Sequence, residues 1–454
     1  MPPDSNQILT VAQMRAGEEA LIAAGETVDS LMLTAGRGAA EWVWRVAAGR
    51  PVTVLCGPGN NGGDGYVIAE TLRRRGLSIT VVAPMEPKTG AAQRARVDYG
   101  GAFAERGHGG VIVDCLFGSG LTRPPGAELA GLVRELARHH AYRVAIDLPS
   151  GVESDSGALL DEDLPRYDLT IALGAWKFAH WLMPAMANMG ERRLVGIGIA
   201  AVGGAAQVIG RPHLGPPARD AHKYSRGLLA VVGGAMPGAS VLAAEAAAHG
   251  GAGYVRLSSV VPVATSHAIV PLSEPQLDRA RAVLIGPGLG RDAVAWKLLE
   301  NTMSAGVPVV ADADALWLLA EMGQGGLPNP AIVTPHEGEF EHVLGDDKGS
   351  KIDRTRSAAT RTGWVIVHKG PDTVIAAPDG RVAVAPPGST WLSTAGTGDV
   401  LAGLCAARLA VTREPFRAAC EAVWLQHEAA RLSGASFIAD DLVARIAPAL
   451  SSCL

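Results

Sequence analysis

The sequence predicts an α/β protein made of two parallel-sheet domains. Three observations carry this. Short apolar runs, each ending in glycine, proline or an acidic turn, alternate with helix-length stretches, the rhythm of β-α-β crossovers. Those runs barely alternate between apolar and polar, as strands covered on both faces should read. The rhythm stops once, at the polar, proline-rich stretch 210–220, and then resumes. At roughly 150 residues per domain, a chain of 454 residues holds two or three domains. The boundary is placed near 212, giving domains over 1–211 and 212–454.

Two helical patterns open the chain, over 10–25 and 26–47, with Gly25 and Gly49 as stops. Strands are predicted at 52–56, 79–83, 111–115, 144–146, 169–173 and 194–199, with helices over 65–75 and 128–139 among them. After the break, strands are predicted at 228–232, 254–257, 282–285, 308–311, 332–334, 365–368 and 374–376, with an alanine-rich helix over 240–248. No internal repeat relates the halves, so they read as different α/β domains.

Composition narrows the function classes. Hydrophobic residues make up 48% and charged residues 19%, which excludes a disordered chain, and the 56 glycines follow no period, which excludes a fibrous one. A net charge of −5 speaks against a nucleic-acid partner. Five cysteines, an odd number with no metal-ligand spacing, fit a reducing compartment. Residues 1–7 carry neither a basic region nor an apolar core, and the charge-free runs 194–210 and 227–244 are broken by glycine, proline or glutamine. The expectation is a cytoplasmic protein with no membrane partner.

In the first half, Gly-Pro-Gly-Asn-Asn-Gly-Gly-Asp-Gly (57–65) follows a strand and precedes a helix. Five glycines in nine residues make little sense as packing. They do make sense where backbone N–H groups must approach an anionic ligand at a helix start. The stretch is neither a Walker loop nor a strict dinucleotide fingerprint. Three more strand ends carry polar loops: 114–120 beginning at Asp114, 147–152 beginning at Asp147, and Gly174-Ala175-Trp176-Lys177. In an open parallel sheet such loops converge on one crevice. Asn61, Asp114 and Ser150 offer only hard oxygen ligands there, suited to an alkali or alkaline-earth cation. The plainer reading is that Asp114 and Asp147 cap the turns that follow them.

These motifs, with Asp-x-x-x-Gly-Ser-Gly-Leu and Asp-Leu-Pro-Ser-Gly-Val, resemble the NAD(P)H-hydrate epimerase domain. The resemblance implies a Rossmann-like sheet and interconversion of the R and S forms of a hydrated nicotinamide cofactor at ring carbon 6. By motif, Asn60, Asn61, Gly62, Gly63 and Asp64 would hold the substrate with Gly118, Ser119, Gly120, Leu121, Thr122, Arg123 and Pro124. Asn61, Asp114 and Ser150 would bind potassium. Asp147 would contact the reacting ring as acid/base, since epimerising a carbinolamine carbon needs proton transfers and a transiently cationic ring.

In the second half, glycine turns follow strands at 233–239 and 286–290, and Thr-Ala-Gly-Thr-Gly-Asp-Val-Leu-Ala-Gly (394–403) opens an apolar helix. Backbone N–H groups of 396–399 make an anion hole for a phosphoryl group, with Asp399 placed to take a proton from an attacking hydroxyl. Lys369-Gly370-Pro371-Asp372-Thr373 follows another strand and could wrap nucleotide phosphates. The plainer readings are that Asp399 caps its helix, that His336 is satisfied by backbone, and that Lys369 is a solvated surface residue.

Gly-Thr-Gly-Asp resembles the ribokinase-like signature. Together with His-Lys-Tyr-Ser-Arg-Gly (222–227), Gly-Pro-Gly-Leu-Gly (286–290) and Thr-Pro-His-Glu-Gly-Glu-Phe (334–340), it is similar to the ADP/ATP-dependent NAD(P)H-hydrate dehydratase. That resemblance implies that Ala239, Gly288, His336 and Asp399 contact the hydrated cofactor. It likewise implies that Lys369, Gly370, Pro371, Asp372, Thr373 and Gly398 contact the adenine nucleotide. It also implies phosphorylation of the 6-hydroxyl and loss of phosphate, with Mg2+ screening the transferring group. ADP is expected as the nucleotide from the bacterial cast of the composition. The substrates would be NADHX and NADPHX, and relatives of this kind are commonly homo-oligomers. A competing reading makes the second half a small-molecule kinase and the first a non-catalytic nucleotide-binding module. A kinase would leave a stable phosphoester; a dehydratase would release phosphate and reduced nicotinamide.

Overall fold

Continuous apolar runs become strands buried along their whole length, as in Val52–Cys56 and Leu169–Leu173. The computed structural model describes residues 6–322, 331–345 and 347–454. It divides into two units, Met1–Gln207 and Val208–Leu454, so the polar stretch 210–220 lies just inside the second.

The first unit holds β1 (Gln7–Leu9), β2 (Val52–Cys56), β3 (Ile79–Val82), β4 (Ala102–Phe103), β5 (Gly109–Cys115), β6 (His140–Ile146), β7 (Leu169–Leu173), β8 (Trp176–Lys177) and β9 (Glu191–Val195), and ends within β10 (Ala206–Val208). Seven of these form a parallel sheet in the order β4-β3-β2-β5-β6-β7-β9. Strand β1 pairs with β8 in parallel and with β10 antiparallel. From β2 the chain runs outward to β3 and β4, then returns to β5 on the other side. The switch point of the sheet is therefore between β2 and β5, where open α/β sheets bind ligands. Helix Val28–Ala47 buries Ala35, Ala39, Ala40 and Val43 in a core shared with Val54 and Val113.

Three expectations change here. The helix after β2 starts at Asn60, not Gly65, so the Asn-Asn-Gly-Gly-Asp run is its first turn. The glycines also carry packing. A Cβ on Gly57 would lie 1.7 Å from the Leu116 carbonyl oxygen, and one on Gly62 would lie 1.9 Å from that of Gly57. A Cβ on Gly65 would meet both Cys56 Sγ and Cys115 Cβ at 2.8 Å. Only Gly59, the N-cap, faces open space. The strand expected at 194–199 is Glu191–Val195: a sheet edge tolerates its charged start, and residues 197–199 have left the sheet.

The second unit holds β11 (Leu228–Val232), β12 (Tyr254–Ser258), β13 (Ile269–Leu272), β14 (Ala282–Ile285), β15 (Val309–Ala311), β16 (Ala331–Val333), β17 (Val365–His368), β18 (Val374–Ala376) and β19 (Val382–Val384). Their order is β13-β12-β11-β14-β15-β16-β17-β18-β19, parallel as far as β17 and antiparallel for the last two. The switch point is between β11 and β14. Helices Pro237–His249 and Thr397–Thr412 pack closely: a Cβ on Gly403 would stand 2.1 Å from the Ala243 carbonyl oxygen. No described helix is long and apolar enough to cross a membrane.

Candidate functional sites

At the β2/β5 switch point the first unit opens into a cavity of about 810 Å³. Of the residues expected there, Asn60, Asn61, Asp64, Gly118, Ser119, Gly120, Leu121, Thr122, Arg123 and Asp147 line it. Gly62 and Gly63 are buried behind it as packing glycines, and Pro124 is exposed beyond its rim.

Asp147 ends β6 in the left-handed region (φ 63°), strain that the surroundings must hold. They do so from three sides. The Ser119 N–H donates to Oδ2 at 2.9 Å, and Lys177 Nζ donates to Oδ1 at 2.5 Å. The Lys177 N–H donates to His180 Nδ1 at 2.9 Å, which leaves Nε2–H to donate to the Asp147 carbonyl at 2.7 Å. Burial, with Lys177 beside it, pushes the His180 imidazole down to about 3, so it is neutral. Burial alone would raise the Asp147 carboxyl, but the Lys177 charge and hydrogen bond outweigh it and hold it below the usual carboxylate range. Asp64 goes the other way: burial, then the charges of Asp147 and Glu18, push it well up. The cavity thus pushes its two aspartates apart, Asp147 down and Asp64 up, the separation that marks acid/base sites.

Beside it, Asp114 accepts from the Leu116 N–H, the Ser150 N–H, Ser150 Oγ–H at 2.7 Å and Tyr167 O–H at 2.5 Å. Burial still pushes its carboxyl up. Asn61 differs: its side-chain oxygen and nitrogen are both buried and unpartnered. The Phe117 carbonyl stands 3.3 Å from Ser150 Oγ. The Asp114 carboxylate, the Ser150 hydroxyl and the Phe117 carbonyl stand together, and with the unclaimed Asn61 amide oxygen they are the kind of donors a large hard cation takes.

In the second unit, loops at the β11/β14 switch point interlock. The Met236 N–H donates to the Gly288 carbonyl at 2.9 Å, and a Cβ on Gly288 (φ 65°) would lie 2.0 Å from the Met236 oxygen and 3.2 Å from Ala239 Cβ. Asp399 lies in the first turn of helix Thr397–Thr412, and no side chain caps that helix, so it is not a cap. Burial, then the charge of Asp312, push the Asp399 carboxyl up to about 7, with Lys369 opposing. Lys369 is not a solvated residue. Its Nζ donates to Asp312 Oδ1 at 2.8 Å, stands 3.7 Å from Glu339 Oε2, and would be 3.6 Å from a Cβ on Gly398. Asp372 is buried and pairs with Lys351 at 2.7 Å, while Thr373 Oγ bonds Gly370, so these two side chains shape the loop. His336 caps helix Glu337–Leu344 in a reciprocal box with Glu339, and its ring stays 60% exposed, free to meet a ligand.

The model of the family described as NAD(P)H-hydrate dehydratase matches residues 229–450, and that of the YjeF-related protein N-terminus matches 28–179. The bifunctional NAD(P)H-hydrate repair enzyme Nnr of Gloeobacter violaceus is 36% identical, over 92% of this chain and 91% of its own. The chain belongs to the bifunctional NAD(P)H-hydrate repair enzymes. The enzymes of that name from Escherichia coli and Mycobacterium tuberculosis are 32% and 33% identical, over 93% and 88% of this chain and 89% and 88% of theirs. The crystal structure of the ADP/ATP-dependent NAD(P)H-hydrate dehydratase from Bacillus subtilis with ATP/Mg2+ is 28% identical over 53% of this chain and 95% of its own, with a TM-score of 0.48.

This repair enzyme is therefore a two-activity chain, an epimerase half followed by a dehydratase half. Sequence reasoning missed several residues of both sites. Lys177 stood in a loop already singled out, and its unbroken apolar setting (Ala175, Trp176, Phe178, Ala179) was the signal that it is buried. Asp312 follows its strand just as Asp147 follows its own. Glu339 was seen only as motif, and Gln426, whose Nε2 donates to the Thr397 carbonyl at 2.7 Å, had no local signature at all.

Proposed function

We propose that the first cavity interconverts the R and S forms of NADHX and NADPHX, and that the second site converts the S form to NADH or NADPH with ADP. The products of the second reaction would be AMP and phosphate. The observation that carries this is the contrast between the two aspartates: Asp147 is held ionised, while Asp399 is poised near neutrality beside a lysine and a helix start.

In the first site, the ring nitrogen lone pair expels the C6 hydroxyl, which takes a proton from solvent and leaves as water, and the ring becomes cationic. The Asp147 carboxylate faces that charge and takes a proton as water returns to the opposite face. Gly118 leaves room for this, wedged between Asp147 Oδ2 and Asn61. Potassium would be held by Asn61, Asp114 and Ser150, supplying fixed positive charge beside the substrate.

In the second site, Asp399 takes the proton of the C6 hydroxyl as its oxygen attacks the terminal phosphoryl of ADP. N–H groups of 396–399 and the Lys369 ammonium receive the developing charge. Phosphate then leaves C6, driven by the ring nitrogen, and loss of a C5 proton restores the double bond. Hydroxide is a poor leaving group and phosphate a good one, which gives the nucleotide its role. Mg2+ would enter this site on the nucleotide, where its chemistry is to screen the phosphates. The five free cysteines fit work on cofactor in the cytoplasm.

The test is to incubate the protein with mixed R and S hydrates and ADP, ATP or neither, subtracting spontaneous exchange. Complete recovery of reduced cofactor with release of inorganic phosphate supports both activities. Accumulation of a stable phosphoester contradicts the dehydratase reading, and arrest at the S fraction contradicts the epimerase reading.

A further inference from the structure

Lysine ammonium groups are seldom fully buried, because removing the charge from water costs several kcal/mol unless it is paired. Lys177 is 2% exposed, yet it lines the cavity of the first unit and does not sit in the hydrophobic core. Its Nζ has two acceptors, Asp147 Oδ1 and the Leu173 carbonyl, each at 2.5 Å. Its backbone N–H is tied through His180 to the Asp147 carbonyl. Asp147, Lys177 and His180 therefore close a ring of hydrogen bonds around one strained residue. A buried pair of this kind adds little stability over apolar residues of the same shape, so stability does not explain its presence at a cavity wall.

We propose that Lys177 is a positioning residue of the epimerase, resting on the reading of Asp147 given above. Its ammonium keeps the Asp147 carboxylate charged and turned to the cavity against burial and against Glu18 and Asp64, which also lie along that wall. Without it, the desolvated carboxyl keeps only two backbone donors, the Ser119 N–H at 2.9 Å and the Leu173 N–H at a long 3.5 Å, and it loses the charge that faces the cationic ring. The neutral His180 fixes the backbone of Asp147 and does not titrate in the working range.

The test compares Lys177→Met, Lys177→Arg, Lys177→Ala and Asp147→Asn in the full chain, following R-to-S exchange by chromatography. Dehydration of the S form and thermal melting serve as controls on folding. Lys177→Met is expected to lower kcat for exchange about as much as Asp147→Asn, on the order of 10²-fold or more, with KM little changed. Lys177→Arg is expected to keep part of the rate, and millimolar ethylammonium to raise the rate of Lys177→Ala at least tenfold. Lys177→Met with wild-type exchange, beside an inactive Asp147→Asn, overturns the proposal alone. So does rescue of Lys177→Ala by tetramethylammonium as good as that by ethylammonium, since it offers no N–H to the carboxylate. Full activity of Asp147→Asn overturns the reading of the site, and this proposal with it.

Discussion

The charge state of Asp399 sets a pH dependence that can be worked out from the structure. With its carboxyl near 7, the fraction ionised is about 9% at pH 6 and about 91% at pH 8, so a reaction needing the base form gains roughly tenfold over that interval. An aspartate at the ordinary value of about 3.9 would be ionised throughout and give a flat profile. The assay is the initial rate of reduced-nicotinamide absorbance from purified S-hydrate at limiting substrate, because kcat/KM reports the free enzyme. Two variants separate the enzyme from the ionisation of ADP itself. Asp312→Asn removes a negative neighbour and should move the acid limb to lower pH. Lys369→Met removes a positive one and should move it higher, since Lys369 opposes the rise. A flat wild-type profile, or a limb that neither variant moves, refutes Asp399 as the base.

Other consequences are structural. Gly118→Ala should abolish exchange while leaving dehydration intact, because the added Cβ lies 2.9 Å from Asp147 Oδ2 and 3.2 Å from Asn61 Cγ; separate assays of the two half-reactions check this. Replacing potassium by tetramethylammonium should slow exchange severalfold and not dehydration, and Asn61→Ala should remove that sensitivity in ion-titrated rate measurements. Arg408 and Glu421 form a buried pair at 2.7 Å in the second unit. Arg408→Met should cost about 3–5 kcal/mol by denaturant unfolding, and Arg408→Met with Glu421→Leu should recover most of it.

Much of the fold was legible because strands buried on both faces read as unbroken apolar runs: Leu228–Val232 and Val365–His368 needed nothing but local sequence. Edges were not legible. Strands Ala102–Phe103 and Ile269–Leu272 lie at sheet margins, where short, mixed segments are held by their neighbours and not by pattern. The closing antiparallel strands β18 and β19 broke the parallel rule, beginning at β17–β18, because a hairpin needs no helix between its strands. The glycine run was legible as a turn, but not the division of labour within it between packing (Gly57, Gly62, Gly65) and open approach (Gly59). Asp147 and Asp399 were legible from the turns they occupy. Lys177, in β8, and Asp312, after β15, act with burial on their charge states from 30 and 87 positions away (147 to 177, 312 to 399), and only folding places them there.

The central claim is that two distinct sites on this chain act in turn on one hydrated cofactor. Mixing Asp147→Asn with Asp399→Asn tests it most directly, by following recovery of reduced cofactor from equal R and S hydrates with ADP. Asp399→Asn alone should recover almost nothing, Asp147→Asn alone should stop near the S fraction, and the equimolar mixture should recover the whole pool. A mixture that recovers no more than Asp147→Asn alone would contradict the account.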